Sequence, residues 1–165
     1  MFQPATTLPT AKALSKRETE GQAKIMAYSF DKIRKRLLME KAVPPDQVDV
    51  AIEEFRKFLL LILLGYENIG MTSQVVDEVW HAFILFTIDY TRFCQGVFGF
   101  YLHHVPNIDG AATGGAQTFR TAYREVFGSI PPIWGDEDEC SGTTNCQEAP
   151  GGCDSSNCNP WGGSE

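Results

Sequence analysis

Between positions 77 and 104 this 165-residue chain gathers all three of its histidines, His81, His103 and His104, together with Asp77 and Cys94. Imidazole, thiolate and carboxylate together make a ligand set for a Zn²⁺-like ion, which takes four such donors in a tetrahedron. The same residues could instead form a Cys-dependent enzyme. Cys94 would then be the nucleophile, His81 or His104 its base, and Asp77 the group that orients that base. The spacing is neither that of a zinc finger nor that of an HExxH helix. A polar cluster that only supports the core therefore stands beside the two chemical readings. The leading set is Asp77, His81, Cys94 and His104, with His103 competing for the last place.

Local geometry constrains this set. In "VDEVWHAFILF", Val76, Val79, Trp80 and Phe83 share one direction of a helix at about 100° per residue, and Asp77 and His81 sit together on its flank. The pair therefore lies at the margin of a core, with Trp80 and Tyr90 walling the site. Cys94 falls inside the apolar face of the next segment, where a thiol ordinarily behaves as a small hydrophobe. If "FYLHHVP" is extended, Phe100, Leu102 and His104 share one face and Tyr101 and His103 the other. The first face is the expected inward one. Gly96 and Gly99 form no convincing anion nest, which weighs against the enzyme.

The elements that must carry these residues read as helices. A first helix is expected from Lys24 through "DKIRKRLLMEKA", stopped by Pro44 and Pro45. "DQVDVAIEEFRKFLLLILLG" follows as a helix apolar on nearly all sides in its second half, suited to the middle of a bundle. Ser73 is positioned to cap the helix of Asp77 and His81. A further helix runs through "TIDYTRFCQGVFG", and "QTFRTAYREVFG" makes the last, with Gly128 as its cap. "SIPPIWG" would lie across the body with Ile133 and Trp134 docking. The predicted fold is all-α, an irregular bundle of about five helices over residues 21–135, after a flexible stretch over residues 1–20.

Residues 136–165 differ in kind. They hold seven acidic residues and no basic one, leaving 14 acidic against 14 basic in the rest of a chain whose net charge is −7. The expectation is a disordered acidic tail, whose thiols Cys140, Cys146, Cys153 and Cys158 lack any CxxC knuckle. It would serve as a metal-collecting arm, a contact for a protein partner, or a plain solvated extension. No basic stripe suits a nucleic acid. The most apolar run, Phe58 to Leu64, is too short for a bilayer span of roughly 20 residues. The N-terminus has no apolar core of a secretory signal, so the chain is expected to be soluble and cytoplasmic.

"VDEVWHAFILFTIDYTRFCQGVFGFYLHHVP" resembles the core motif of the glycine-rich domain-containing protein-like family, in its bacterial form. There an Asp-x-x-Trp-His helix is followed by a Tyr, a Cys, a Phe-Gly pair and a late His. The matching positions are Asp77, Trp80, His81, Tyr90, Cys94, Phe98, Gly99 and His103 or His104. "SIPPIWG" and the Cys-bearing tail are similar to the bacterial layout. Plant and animal members often carry a second His where this chain has Phe83, and the tail is less Gly-rich than the family's name. The resemblance spans about Gln47 to Trp134 and implies a small helical protein with no settled activity. The expected function is a helical binding module around a metal-binding or polar structural centre.

Overall fold

A computed structural model describes residues 14–105 and 114–135. Among them are six α-helices and no strand: α1 (Lys16–Ala27), α2 (Asp31–Glu40), α3 (Val48–Leu63), α4 (Gln74–Ile84), α5 (Thr87–Val97) and α6 (Gly115–Phe127), closed by a 3₁₀ turn at Pro132–Trp134. The all-α expectation holds, with one helix more than expected. None of these helices is long and apolar enough to cross a membrane. Residues 136–165, where a disordered acidic tail was expected, lie outside the described residues.

The extra helix comes from a break in the first one. In a continuous helix Ile25 and Leu37 would sit about 120° apart at 100° per residue, at opposite margins of any shared apolar face. The chain resolves this by ending α1 at Ala27 and taking an extended step at Tyr28. Arg56 of α3 secures the break: its guanidinium donates to the carbonyls of Ile25, of Met26 at 3.4 Å and of Tyr28 at 2.9 Å. Those are the carbonyls a helix end leaves without partners. Phe30, beyond the break, drops into the core with its ring 5.3 Å from that of Phe83. The other end of α1 is set by Ser15, whose hydroxyl accepts from Glu18 N while the Glu18 carboxylate accepts from Ser15 N. Helix thus starts at Lys16, inside the stretch expected to be loose, and the expected boundary at residue 20 falls within α1.

α3 is the central helix and packs against α1, α2, α4 and α6. It buries Ala51, Ile52, Phe55, Phe58, Leu59 and Leu61, which is why its second half reads as apolar on nearly all sides. α4 crosses it with Val76, Val79, Trp80, Ala82 and Phe83 buried, and Ser73 caps α4 by accepting from Val76 N at 3.3 Å. α6 is brought in by a close approach of backbones. Gly70 N donates to Gly115 O at 2.8 Å, and a Cβ on Gly115 would stand 3.0 Å from Gly70 N. Trp134 is fully buried between α3 and α6, against the rings of Phe58 and Phe119.

Candidate metal centre

The helical period of α4 puts Asp77 and His81 one turn apart, with Asp77 Oδ2 3.4 Å from His81 Nε2. The third group arrives from the far side of α5. That helix ends at Val97 with Phe98 as its cap, and the next residue, Gly99, has a φ of +79° that suits a residue without Cβ, its N donating back to Cys94 O and Gln95 O. The chain then turns and runs beside α4. It is pinned there by a short relay: Trp80 Nε1 donates to Tyr90 Oη at 2.9 Å, and Tyr90 Oη donates to Leu102 O at 2.6 Å. Two residues on, the His104 ring lies over the Trp80 indole at 4.4 Å between centroids. Trp80 and Tyr90 thus both help to place His104.

The result is a tight triangle. His104 Nε2 is 2.8 Å from His81 Nε2 and 3.3 Å from Asp77 Oδ1. Among the described residues, Asp77, His81 and His104 form the group whose possible ligand atoms all lie within 4.8 Å of one another. Burial lowers the pKa of His104, with the Asp77 charge opposing that shift and the neighbouring His81 adding to it. The neutral ring, with a free lone pair on one nitrogen, is the form so favoured.

Proton counting shows what this triangle lacks. A neutral imidazole carries one N–H, so only one of the two facing Nε2 atoms can donate to the other. If both carried protons, two N–H groups would collide at 2.8 Å. Asp77 Oδ1 is a buried oxygen that accepts no hydrogen bond; its 3.3 Å contact with His104 Nε2 is close enough for charge attraction, but the ring nitrogen is committed to His81. A cation at the centre would satisfy both nitrogens and the carboxylate at once. Tetrahedral donors at about 2.0–2.1 Å from Zn²⁺ stand roughly 3.3–3.4 Å apart. The two carboxylate–imidazole contacts have about that length, each to a different oxygen of Asp77, so a single donor oxygen would need a small turn of the carboxylate, and the imidazole pair would open by about 0.5 Å. The His81 side chain is 45% exposed, so the centre is open to solvent on one side.

Cys94 and His103 stand elsewhere. Cys94 is fully buried, and its thiol interacts with Tyr90 and the backbone of Leu102. Burial pushes its pKa up, which those contacts only partly offset, so neither a metal ligand nor a ready nucleophile is favoured there. His103 is exposed, and its ring lies against that of Tyr101 at 4.8 Å between centroids, tilted by 56°. The thiols Cys140, Cys146, Cys153 and Cys158 lie outside the described residues.

A second polar centre was missed in the sequence. Glu54, only 4% exposed, accepts from Tyr123 Oη and Trp134 Nε1 through Oε2, each at 2.7 Å, and from Lys57 Nζ through Oε1 at 2.7 Å. The signal was present: Ala51, Phe58 and Leu61 place Glu54 on the same helical face as three buried apolar residues. Burial opposes the charge on Lys57, yet its hydrogen bonds to Glu54 and Tyr123 raise its pKa overall. The Tyr123 phenol is pushed up to about 12 by burial and by the Glu54 carboxylate.

A family model described as UCP032817-like matches residues 20–126, about two thirds of the chain. The chain belongs to the UCP032817-like family. This corrects the resemblance to the glycine-rich domain-containing protein-like family, to which nothing else ties the chain. The matched segment spans α1 to the last turn of α6 and ends before "SIPPIWG", so part of the motif behind that resemblance lies beyond the family's own region. An Asp and a His one helical turn apart beside a buried Trp is a pattern that packing alone can repeat on unrelated helices. Neither a curated protein nor a solved structure matches the chain. The family description names no activity, so function has to be argued from the site.

Proposed function

We propose that this protein is a helical binding module built around one divalent, Zn²⁺-like cation held by Asp77, His81 and His104. The observation that carries this reading is the convergence of two imidazole nitrogens at 2.8 Å beside a carboxylate whose buried oxygen accepts no hydrogen bond. Nitrogen and oxygen donors of this kind suit zinc and its first-row neighbours better than Mg²⁺ or Ca²⁺, which prefer oxygen alone. Three protein ligands and a solvent-facing side leave one coordination position for a further donor. Trp80 holds the His104 ring from behind, and Glu78, whose Oε1 is 3.9 Å from His81 Nδ1, lies where it favours the tautomer with Nε2 free to ligate. The buried, raised-pKa thiol of Cys94, with Tyr90 and Leu102 as its partners, supports a structural role for that residue in place of a nucleophilic one.

The test is metal uptake by the full chain, measured by calorimetric titration with Zn²⁺ and by elemental analysis after dialysis. One ion per chain is expected, with uptake lost in His81→Ala and in His104→Ala while the helical spectrum is kept. An absence of stoichiometric uptake, or uptake unchanged in both variants, overturns the reading.

A further inference from the structure

The three ligands of the proposed centre are not held alike. Asp77 and His81 stand one turn apart on α4 and are positioned by that helix. His104 belongs to residues 100–105, which are neither helix nor strand and, among the described residues, make no backbone–backbone hydrogen bond. Its place therefore depends on side chains. We propose that Tyr90 is a positioning residue for the cation: its hydroxyl, through two hydrogen bonds, holds His104 in ligating range without being a ligand itself. The inference rests on the cation reading above.

A single hydroxyl makes both contacts. It accepts from Trp80 Nε1 at 2.9 Å and so fixes the indole over which the His104 ring lies at 4.4 Å between centroids. It also donates to Leu102 O at 2.6 Å and so ties down the chain two residues before His104. The phenol is itself held rigidly: it is fully buried, with its ring 5.0 Å from that of Phe83 and 5.3 Å from that of Tyr101. Burial raises its pKa, against the Trp80 hydrogen bond, so it keeps the proton that it donates. The Cys94 thiol interacts with Tyr90 and the Leu102 backbone, but S–H is a weak donor and replaces the phenol poorly. Groups one step removed from a metal orient its ligands, and losing one typically costs about 10–100-fold in affinity.

The test is calorimetric titration of Zn²⁺ into the full native chain, Tyr90→Phe and Tyr123→Phe. Tyr90→Phe keeps the buried ring and removes only the hydroxyl, and should weaken zinc binding about 10–100-fold. Tyr123→Phe removes a similarly buried phenol from the Glu54 cluster, and should change the affinity by no more than about twofold. Equal weakening in both variants overturns the inference, because the loss would then follow stability and not the position of His104. A Tyr90→Phe chain that keeps its helical spectrum and binds within about twofold of native also overturns it, and leaves the three-residue centre standing. No zinc uptake by the native chain overturns both this inference and the cation reading. A second measurement, hydrogen exchange of the indole N–H groups in the native chain, decides the matter if Tyr90→Phe fails to fold. Linkage is reciprocal, so bound zinc should slow exchange at Trp80 Nε1, held by Tyr90, more than at Trp134 Nε1, held by Glu54. Equal slowing at the two indoles, or none at Trp80, overturns the inference.

Discussion

Two polar clusters interrupt the apolar packing of this bundle, and they are completed in different ways. Around Glu54 the accounts close: one carboxylate receives Tyr123, Trp134 and Lys57, and so ties α3, α6 and the Pro132–Trp134 turn together. Around Asp77 they do not, since two imidazole nitrogens face each other and a buried oxygen accepts no hydrogen bond. A polar network with every member satisfied rigidifies the packing it sits in. One with an orphaned acceptor at its heart is incomplete as protein alone, and is where an outside group is expected to bind. The contrast is between a carboxylate whose hydrogen bonding is complete within the protein and one that the proposed cation would complete.

The largest expected effects fall on the closed cluster. Trp134→Ala should cost about 3–5 kcal/mol in a denaturant melt, as a fully buried aromatic truncation. Glu54→Ala should cost about 2–4 kcal/mol, because it leaves two buried donors without an acceptor. A loss below about 1 kcal/mol for Glu54→Ala, in the range of surface changes, would erase the distinction between the two clusters.

A smaller effect appears with pH. The Tyr123 phenol, with an ordinary value near 10, is raised to about 12 in the folded protein. The folded state then holds that proton more tightly than the unfolded state. This contribution to stability is complete below pH 10 and is lost as pH rises towards 12. Tyr123→Phe should flatten that part of the alkaline melting curve. It should not abolish it, since burial also raises Tyr90 and Cys94. An unchanged alkaline limb in Tyr123→Phe would show that the phenol is not held as described.

The smallest stability effect is expected at the open cluster. His81 is exposed, so His81→Ala should change the metal-free melt by no more than about 0.5 kcal/mol while removing metal uptake. Tyr123→Phe should do the reverse, lowering stability and leaving uptake intact. If His81→Ala destabilises the metal-free protein as much as Glu54→Ala does, the Asp77 cluster is structural after all.

Whatever depends on the helical period was legible in the residues. The period sets Asp77 and His81 on one flank of α4, puts Trp80 in its buried stripe and makes Ser73 the cap, because each involves neighbours within a turn or two. The all-α class and the buried central helix follow from the same patterning. Glu54 was legible by that rule too, since its face is shared with Ala51, Phe58 and Leu61, but a glutamate is so seldom buried that the face alone did not reveal it.

Tertiary structure decided the rest. Alternation along "FYLHHVP" predicts Phe100, Leu102 and His104 on one inward face, yet Phe100 is 52% exposed while His104 lies against Trp80. That segment is no paired strand; its course is set by the Tyr90–Leu102 hydrogen bond and the Trp80 ring, not by a pleat. Cys94 sits in the apolar face that its spacing indicates, but only the packing of α5 gives it Tyr90 and Leu102 as partners. The break at Tyr28 depends on Arg56, nearly thirty residues later in the chain. Helical period acts between residues close in sequence, so one stretch of chain determines which side chains share a face. Which faces then meet is determined by contacts between segments far apart in sequence, and the triangle of Asp77, His81 and His104 exists only because Gly99 and the Tyr90 relay bring the later segment back to α4.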